Sequence, residues 1–503
     1  MIMPSEPATI LVTGATGYIG GRLAPRLIAQ GHTVRALARD PRRLGSLAAA
    51  GVACVAGDVL RPESLAPALA GVDVAYYLIH SMEAGPDFAA RDREAAANFA
   101  AACAAAGVRR IIYLGGLGRP GPLLSRHLAS RQQVGDVLRA GAVPVTELRA
   151  AIIVGAGSAS FEIIRDLARK LPVMICPRWV RSRCEPIALD QVLAYLIGAL
   201  REPRTIGEVL EIGGGEVLTY EAMMRQCALA LGRRIRILVV PVLTPRLSAY
   251  WLNLVTSVPM HIARPLVEGL RNDVVTADQR IREWIPVPPL TFREAVARAL
   301  GEEYAGPLAT RWTGAAASAG TAVSWTGAVV GDEQRRAAKV PAATLFATVE
   351  RIGGRTGWYY GDWLWRLRGL LDRLLGGVGM RRGRRDPVAI AVGDPIDFWR
   401  VEDFVPGHLL RLRAEMRVPG AATLEFSVAD QPGGGAILAQ RARFQPRGVW
   451  GRAYWTVLRP LHRLVFRGMA DGIVRAAEAG ARHGPRGHKS ASAASMTRSI
   501  APR

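Results

Sequence analysis

The chain has 503 residues, half of them hydrophobic and about a fifth charged, so it is too long for one hydrophobic core and too apolar to be disordered. A formal net charge of +23 allows attraction to an anionic partner, but three of the 65 basic residues are lysine, which points to a compositional arginine bias. No nucleic-acid-binding motif accompanies the charge, so the expectation is no nucleic-acid partner.

In chain order, a buried strand is predicted over 9–13, then a glycine turn and an amphipathic helix to residue 30. Strands follow over 32–38, 53–56 and 73–79, a helix over 88–106, a strand over 110–114, a helix over 124–140 and a strand over 145–153. Strands alternating with helices at this spacing predict a doubly wound Rossmann parallel sheet of the α/β class. From 155 to 300 short elements alternate with proline turns, which reads as a substrate lobe of the same domain, 1–300.

Residues 301–339 read as a linker, and 340–480 as a second, α+β domain. That domain shows a helix over 358–375, antiparallel strands over 409–417, 422–428 and 436–444, and a long helix over 454–479. The tail, 481–503, is basic and predicted disordered. The five cysteines, Cys54, Cys103, Cys176, Cys184 and Cys227, form no CxxC pair, which predicts a reducing, cytoplasmic location and no metal site. No basic leader precedes the first strand, and the apolar stretch at 247–262 is short and broken by Pro259, so it reads as packed or interfacial.

The sequence ThrGlyAlaThrGlyTyrIleGly sets Gly14, Gly17 and Gly20 between a strand and a helix. A diphosphate must reach backbone N–H groups at a helix N-terminus, and a Cβ would obstruct that approach. The motif in this context predicts NAD or NADP binding. At the end of the second strand, where an acid usually holds the NAD ribose, stands Arg39, followed by Arg42 and Arg43. Guanidinium suits a 2′-phosphate, so NADP is favoured, with Asp40 leaving NAD open.

These residues, with GlyAspVal at 57–59, GlyValArgArgIleIleTyrLeu at 107–114 and GluLeuArgAla at 147–150, resemble the atypical short-chain dehydrogenase/reductases of the NmrA-like branch over about residues 8–300. The resemblance implies that Asp58 and Val59 meet the adenine. The full cofactor set is then Gly14, Ala15, Thr16, Gly17, Tyr18, Ile19, Gly20, Arg39, Asp58, Val59, Leu78 and Arg131. The second domain, with TrpTyrTyrGlyAsp at 358–362 and PheTrpArgValGlu at 398–402, resembles a domain of unassigned function fused to these proteins in bacteria. Its element order is similar to the START-like helix-grip fold, which implies an apolar cavity.

Enzymes of this superfamily use Ser, Tyr and Lys, the last two in Y-x-x-x-K spacing. Here Gly115 or Gly116 stands at the serine position, and His127 and Arg131 stand where Tyr and Lys belong, on one helix face. His127 is the candidate proton shuttle, and Arg131 the candidate for the nicotinamide ribose; a structural role for both is the alternative. His80 is expected to face the cofactor. Arg178, Trp179, Arg181 and Arg183 read as an anion site or a solvated stretch. The cluster Arg381, Arg382, Arg384 and Arg385 leaves peripheral membrane contact open, and Trp358, Trp363 and Trp365 are expected in the core.

Three functions fit: an NADP(H)-dependent oxidoreductase acting on a hydrophobic carbonyl or quinone-like small molecule, a non-catalytic NADP(H)-binding redox sensor, and a lipid- or quinone-handling accessory protein. The oxidoreductase reading has the substrate delivered or housed by the C-terminal domain.

Overall fold

The computed structural model of the chain describes residues 7–80, 87–119, 121, 124–240, 252, 255–270, 272–306, 308–315, 325 and 328–482. Residues 247–251, 253 and 254 of the apolar stretch and nearly all of the predicted tail lie outside them.

The N-terminal unit is built on a seven-stranded sheet. Its elements are β1 (Thr9–Val12), α1 (Gly20–Ile28), β2 (Thr33–Ala38), β3 (Ala53–Ala56), β4 (Val74–Tyr77), α2 (Phe88–Ala105), β5 (Arg110–Gly116), α3 (Arg126–Arg139), β6 (Val145–Ala150), α4 (Ala159–Lys170), β7 (Val173–Pro177), α5 (Leu189–Arg201), β8 (Val209–Ile212), β9 (Arg236–Val240) and α6 (Phe292–Ala305). The strand order is β8-β6-β5-β4-β1-β2-β3, and every pairing is parallel. Helices cover both faces, so β4 is buried at all four positions and β5 at six of its seven. That two-sided burial is why these strands read as apolar runs without alternation. Two clusters fill the two sides: Ile10, Val12 and Tyr76 lie in one, Leu11, Ala75 and Tyr77 in the other.

The order reverses between β1 and β4, which opens a crevice at their carboxyl ends. Thr13 ties the two ends together. Its hydroxyl donates to the Tyr76 carbonyl at 3.0 Å and accepts from the Leu78 amide at 3.2 Å.

The C-terminal unit is α+β. It begins with β10 (Val330–Ala338), followed by α7 (Ala342–Val349), α8 (Asp362–Leu374), β11 (Pro395–Ile396), β12 (Trp399–Val405), β13 (Leu409–Ala414), β14 (Gly420–Asp430), β15 (Ala436–Pro446) and the long α9 (Gly448–Arg482). The sheet runs β10-β15-β14-β13-β12-β11 and is antiparallel throughout.

Two boundaries expected from the sequence are corrected. The linker is shorter than 301–339, because α6 runs to Ala305 and β10 starts at Val330. That strand alternates half-buried and exposed residues and carries Asp332, Glu333, Arg335 and Arg336; as a charged sheet edge it lacks the apolar signal of a strand. The helix expected from Trp358 begins only at Asp362, because Tyr359 and Gly361 both take φ 62°, a left-handed conformation that stops a helix. Trp358 instead lies fully buried, stacked on Phe398 with centroids 6.1 Å apart, and its Nε1 donates to Asp397 at 3.0 Å.

Residues 308–314 of the linker form a strap across the N-terminal unit. Thr310 donates to the Tyr18 carbonyl at 2.8 Å, and the Trp312 amide donates to the Gly157 carbonyl at 2.9 Å. From the other side, Arg400 donates to the Thr313 carbonyl at 3.0 Å, and Arg385 to the Leu308 carbonyl at 3.2 Å.

Candidate active site

The crevice at the β1–β4 reversal is a cleft of about 380 Å³. Gly14 turns the chain after β1 with φ +65°, and a Cβ there would fall 2.4 Å from the Leu78 carbonyl oxygen. A Cβ on Gly20 would fall 2.5 Å from the Gly14 carbonyl oxygen. Gly20 is therefore required by the glycine turn folding back on the start of α1, and not only by helix-on-sheet packing. Gly17 lines the cleft, and its amide donates to the Gly14 carbonyl at 2.9 Å.

Of the residues singled out for a cofactor, Gly14, Thr16, Gly17, Tyr18, Ile19, Gly20, Arg39, Asp58, Val59, Leu78 and Arg131 line this cleft. Ala15 does not; it lies 2 % exposed beneath the turn and borders a small pocket against the C-terminal unit. Residues the sequence did not single out also line the cleft: Leu60, Arg91 and, from the strap, Trp312. Trp312 lies about 300 residues beyond the motif, and no local pattern marks it.

The charged residues after β2 divide by role. Arg39 is exposed at the cleft. Asp40 caps the turn that follows, accepting from the Arg42 amide at 3.1 Å and from the Arg42 guanidinium at 2.9 Å. The Arg42 hydrogen bond holds its carboxyl below the usual range. Arg43 reaches the Gly314 carbonyl of the strap. The acid that left NAD open is thus committed to its own turn.

A second cavity, of about 810 Å³, opens beside the cleft. The two share Tyr18, His80, Leu114, Arg131 and Ala159 in their walls. The wall of the larger one is mainly apolar, with Ile164, Leu167, Met174, Val180 and Met224 among its side chains. Trp179 lines it, whereas Arg178, Arg181 and Arg183 are exposed. This large apolar cavity belongs to the N-terminal unit. In the C-terminal unit the inner side of the sheet is packed with Trp358, Trp365, Phe398, Trp399 and Phe466.

Polar groups gather where cleft and cavity meet. The His80 and His127 rings lie 4.8 Å apart. His80 Nδ1 is 3.7 Å from buried Asp92, too far for a hydrogen bond. Among the described residues, neither His127 Nδ1 nor either His80 nitrogen has a hydrogen-bond partner. Burial, with the neighbouring His80 and Arg131, pushes His127 well below the ordinary imidazole value. Burial also lowers His80, against the opposing effect of Asp92. Both rings are therefore neutral at pH 7. Arg131 spans the strand ends, donating to the Ile79 carbonyl at 3.3 Å and to the Leu114 carbonyl, with its guanidinium 5.0 Å from the Tyr113 ring centre. At the expected serine position a Cβ on Gly116 would fall 2.8 Å from Leu128, so this wall is built without that side chain.

Two other expectations change. Trp363 is 66 % exposed and not in the core. Of the cluster Arg381, Arg382, Arg384 and Arg385, the side chain of Arg381 lies outside the described residues, and the other three turn to the protein: Arg382 pairs with Glu415, Arg384 donates to the Glu350 and Ile352 carbonyls, and Arg385 pairs with Asp394 at 3.0 Å. Arg311 of the strap in turn donates to the Arg382 carbonyl at 3.1 Å.

A family described as NAD(P)H-binding matches residues 14–155, and a family described as a protein of unknown function matches 325–469. The (4-alkanoyl-5-oxo-2,5-dihydrofuran-3-yl)methyl phosphate reductase of Streptomyces griseus is 32 % identical over 235 residues, which cover 45 % of this chain and 75 % of that one. The 2-alkyl-3-oxoalkanoate reductase of Shewanella oneidensis is 34 % identical over 105 residues, 20 % of this chain and 27 % of that one. Among solved structures, an NADPH-dependent quinone oxidoreductase of Escherichia coli matches at TM-score 0.49 and 20 % identity, over 58 % of this chain and 99 % of that one.

Proposed function

The chain belongs to the NAD(P)H-binding, reductase-like family of the Streptomyces enzyme, and from that premise we propose that it is an NADPH-dependent reductase of a hydrophobic carbonyl or quinone-like compound. The observation that carries this reading is the apolar cavity of about 810 Å³ sharing a wall with the dinucleotide cleft. A protein that only sensed the nucleotide would have no use for a second, apolar chamber at that end of the cleft. The named substrates of both relatives pair an alkyl or alkanoyl group with an oxo group, and a cavity of this lining suits the chain of such a molecule.

The residues divide the work as follows. The glycine turn and the start of α1 present amides to a diphosphate. Arg39 accounts for the preference for a 2′-phosphate, since Asp40 is held by Arg42. Bound there, the reduced dinucleotide supplies a hydride. Arg131 fixes the ends of β4 and β5 around the junction. His127, neutral and with Nδ1 unpartnered, holds the substrate oxygen by a hydrogen bond, as a neutral imidazole can. His80 backs it, its ring 4.8 Å from that of His127.

The test is turnover of NADPH, followed by its absorbance, with oxo compounds of graded alkyl length and with quinones. Each added methylene should raise kcat/KM by about fourfold until the cavity is filled. Tight NADPH binding with no turnover on any of these compounds would replace this reading with that of a nucleotide-holding sensor.

A further inference from the structure

Helix α8 carries an apolar stripe that is exposed among the described residues. Trp363, Leu367, Leu370, Leu371 and Leu374 recur at helical spacing, and each is 46 % exposed or more. Beside it runs the first half of α9: Trp365 of α8 lies against Phe466 with centroids 6.5 Å apart. That half exposes Trp450, Val457 and Leu464. An apolar surface of this extent, borne by two adjoining helices, calls for a partner.

The charge on the same surface decides which partner. From Gly448 to Ala470, α9 has four arginines and no acid; Arg452, Arg459, Arg463 and Arg467 are exposed. On α8, Arg366 is exposed, while both acids are occupied by backbone amides: Asp362 accepts from Trp358 at 2.8 Å, and fully buried Asp372 from Gly379 at 2.8 Å and Arg417 at 2.7 Å. Tryptophan and leucine flanked by arginine, without free carboxylates, is the composition of helices that lie in a membrane interface. A two-fold dimer through this face would set arginine against arginine. Among the described residues no helix is long and apolar enough to cross a membrane, so the contact is peripheral.

We propose that the exposed faces of α8 and the first half of α9 dock on an anionic lipid bilayer. The inference is independent of the reductase reading.

Sedimentation of the full chain with vesicles tests it. The protein should pellet with vesicles containing phosphatidylglycerol, less so as salt rises, and stay in solution with phosphatidylcholine alone. Replacing Trp363, Leu370 and Leu374 together by serine should weaken vesicle binding at least about tenfold, with melting temperature and NADPH affinity unchanged. Substituting Arg459→Gln should weaken it about fivefold. Undiminished pelleting of the serine variant, or no pelleting of the wild type with the anionic vesicles, overturns the proposal. So does a dimer, seen by light scattering, that the serine substitutions dissolve while vesicles leave the wild type in solution.

Discussion

Glu162 joins the strap to the N-terminal unit, and the substitution Glu162→Gln measures what that joint contributes. The carboxylate is 1 % exposed. It accepts from the Arg311 guanidinium at 2.6 Å, from Trp312 Nε1 at 2.8 Å and from the Ser257 hydroxyl at 3.1 Å. Burial by itself would raise its pKa, but the Arg311 and Arg165 charges and the Trp312 and Arg311 hydrogen bonds outweigh that and lower it below 4.5. The amide keeps the shape, loses the charge opposite Arg311, and aims N–H groups where donors already point. Breaking a buried pair by removing one partner costs about 3–5 kcal/mol, and the retained shape brings the expected loss to about 2–3 kcal/mol. Because the folded pKa is depressed, the stabilisation is fully present above the unfolded value and fades as pH falls through the folded one. The gap between wild type and variant in urea unfolding should therefore be constant from neutral pH down to the carboxylate range and shrink below it. Trp312 lines the cleft, so NADPH affinity should fall about fivefold, a loss of about 1 kcal/mol. An unfolding midpoint and an NADPH affinity both equal to wild type at pH 7 would refute the assignment of the strap as part of the site.

Arg39→Ala should weaken NADPH binding at least about tenfold while leaving NADH binding nearly unchanged, the difference being the lost charged hydrogen bonds to the 2′-phosphate; equal losses in calorimetry would remove the NADP preference. His127→Phe should lower kcat about a hundredfold with NADPH affinity intact. With His80 and His127 both held below the ordinary imidazole value, any inflection of kcat/KM from either ring should fall below about 6.5; one at or above that would mean that a protonated imidazole is the working form. Gly135→Ala would put a Cβ 2.4 Å from the buried Glu147 carboxylate, and its thermal unfolding should reveal a loss of about 1–3 kcal/mol.

The N-terminal sheet was legible because its physics is local. A strand buried on both faces must be apolar along its length, and a glycine turn between β1 and α1 leaves the backbone open to a diphosphate. Thus Gly14, Gly17 and Gly20, and with them Arg39, could be found from neighbours in the chain, whereas Asp58 came from the family resemblance. The edge strand β10 could not, since it turns charged residues to water and is held by β15, which lies about a hundred residues later. Trp363 and the arginines at 382–385 were misjudged for the same reason: whether a tryptophan meets a core or an arginine meets a carboxylate depends on what packs above it.

Sequence alone determined the dinucleotide-binding fold and marked the glycine turn that lines the cleft, because backbone geometry and periodic burial are written into consecutive residues. Only the tertiary structure decided that His80 and His127 share one pocket, that the apolar cavity belongs to the N-terminal unit, and that Trp312 closes the cleft. Those relations join residues far apart in the chain, and nothing in the spacing of neighbours encodes them.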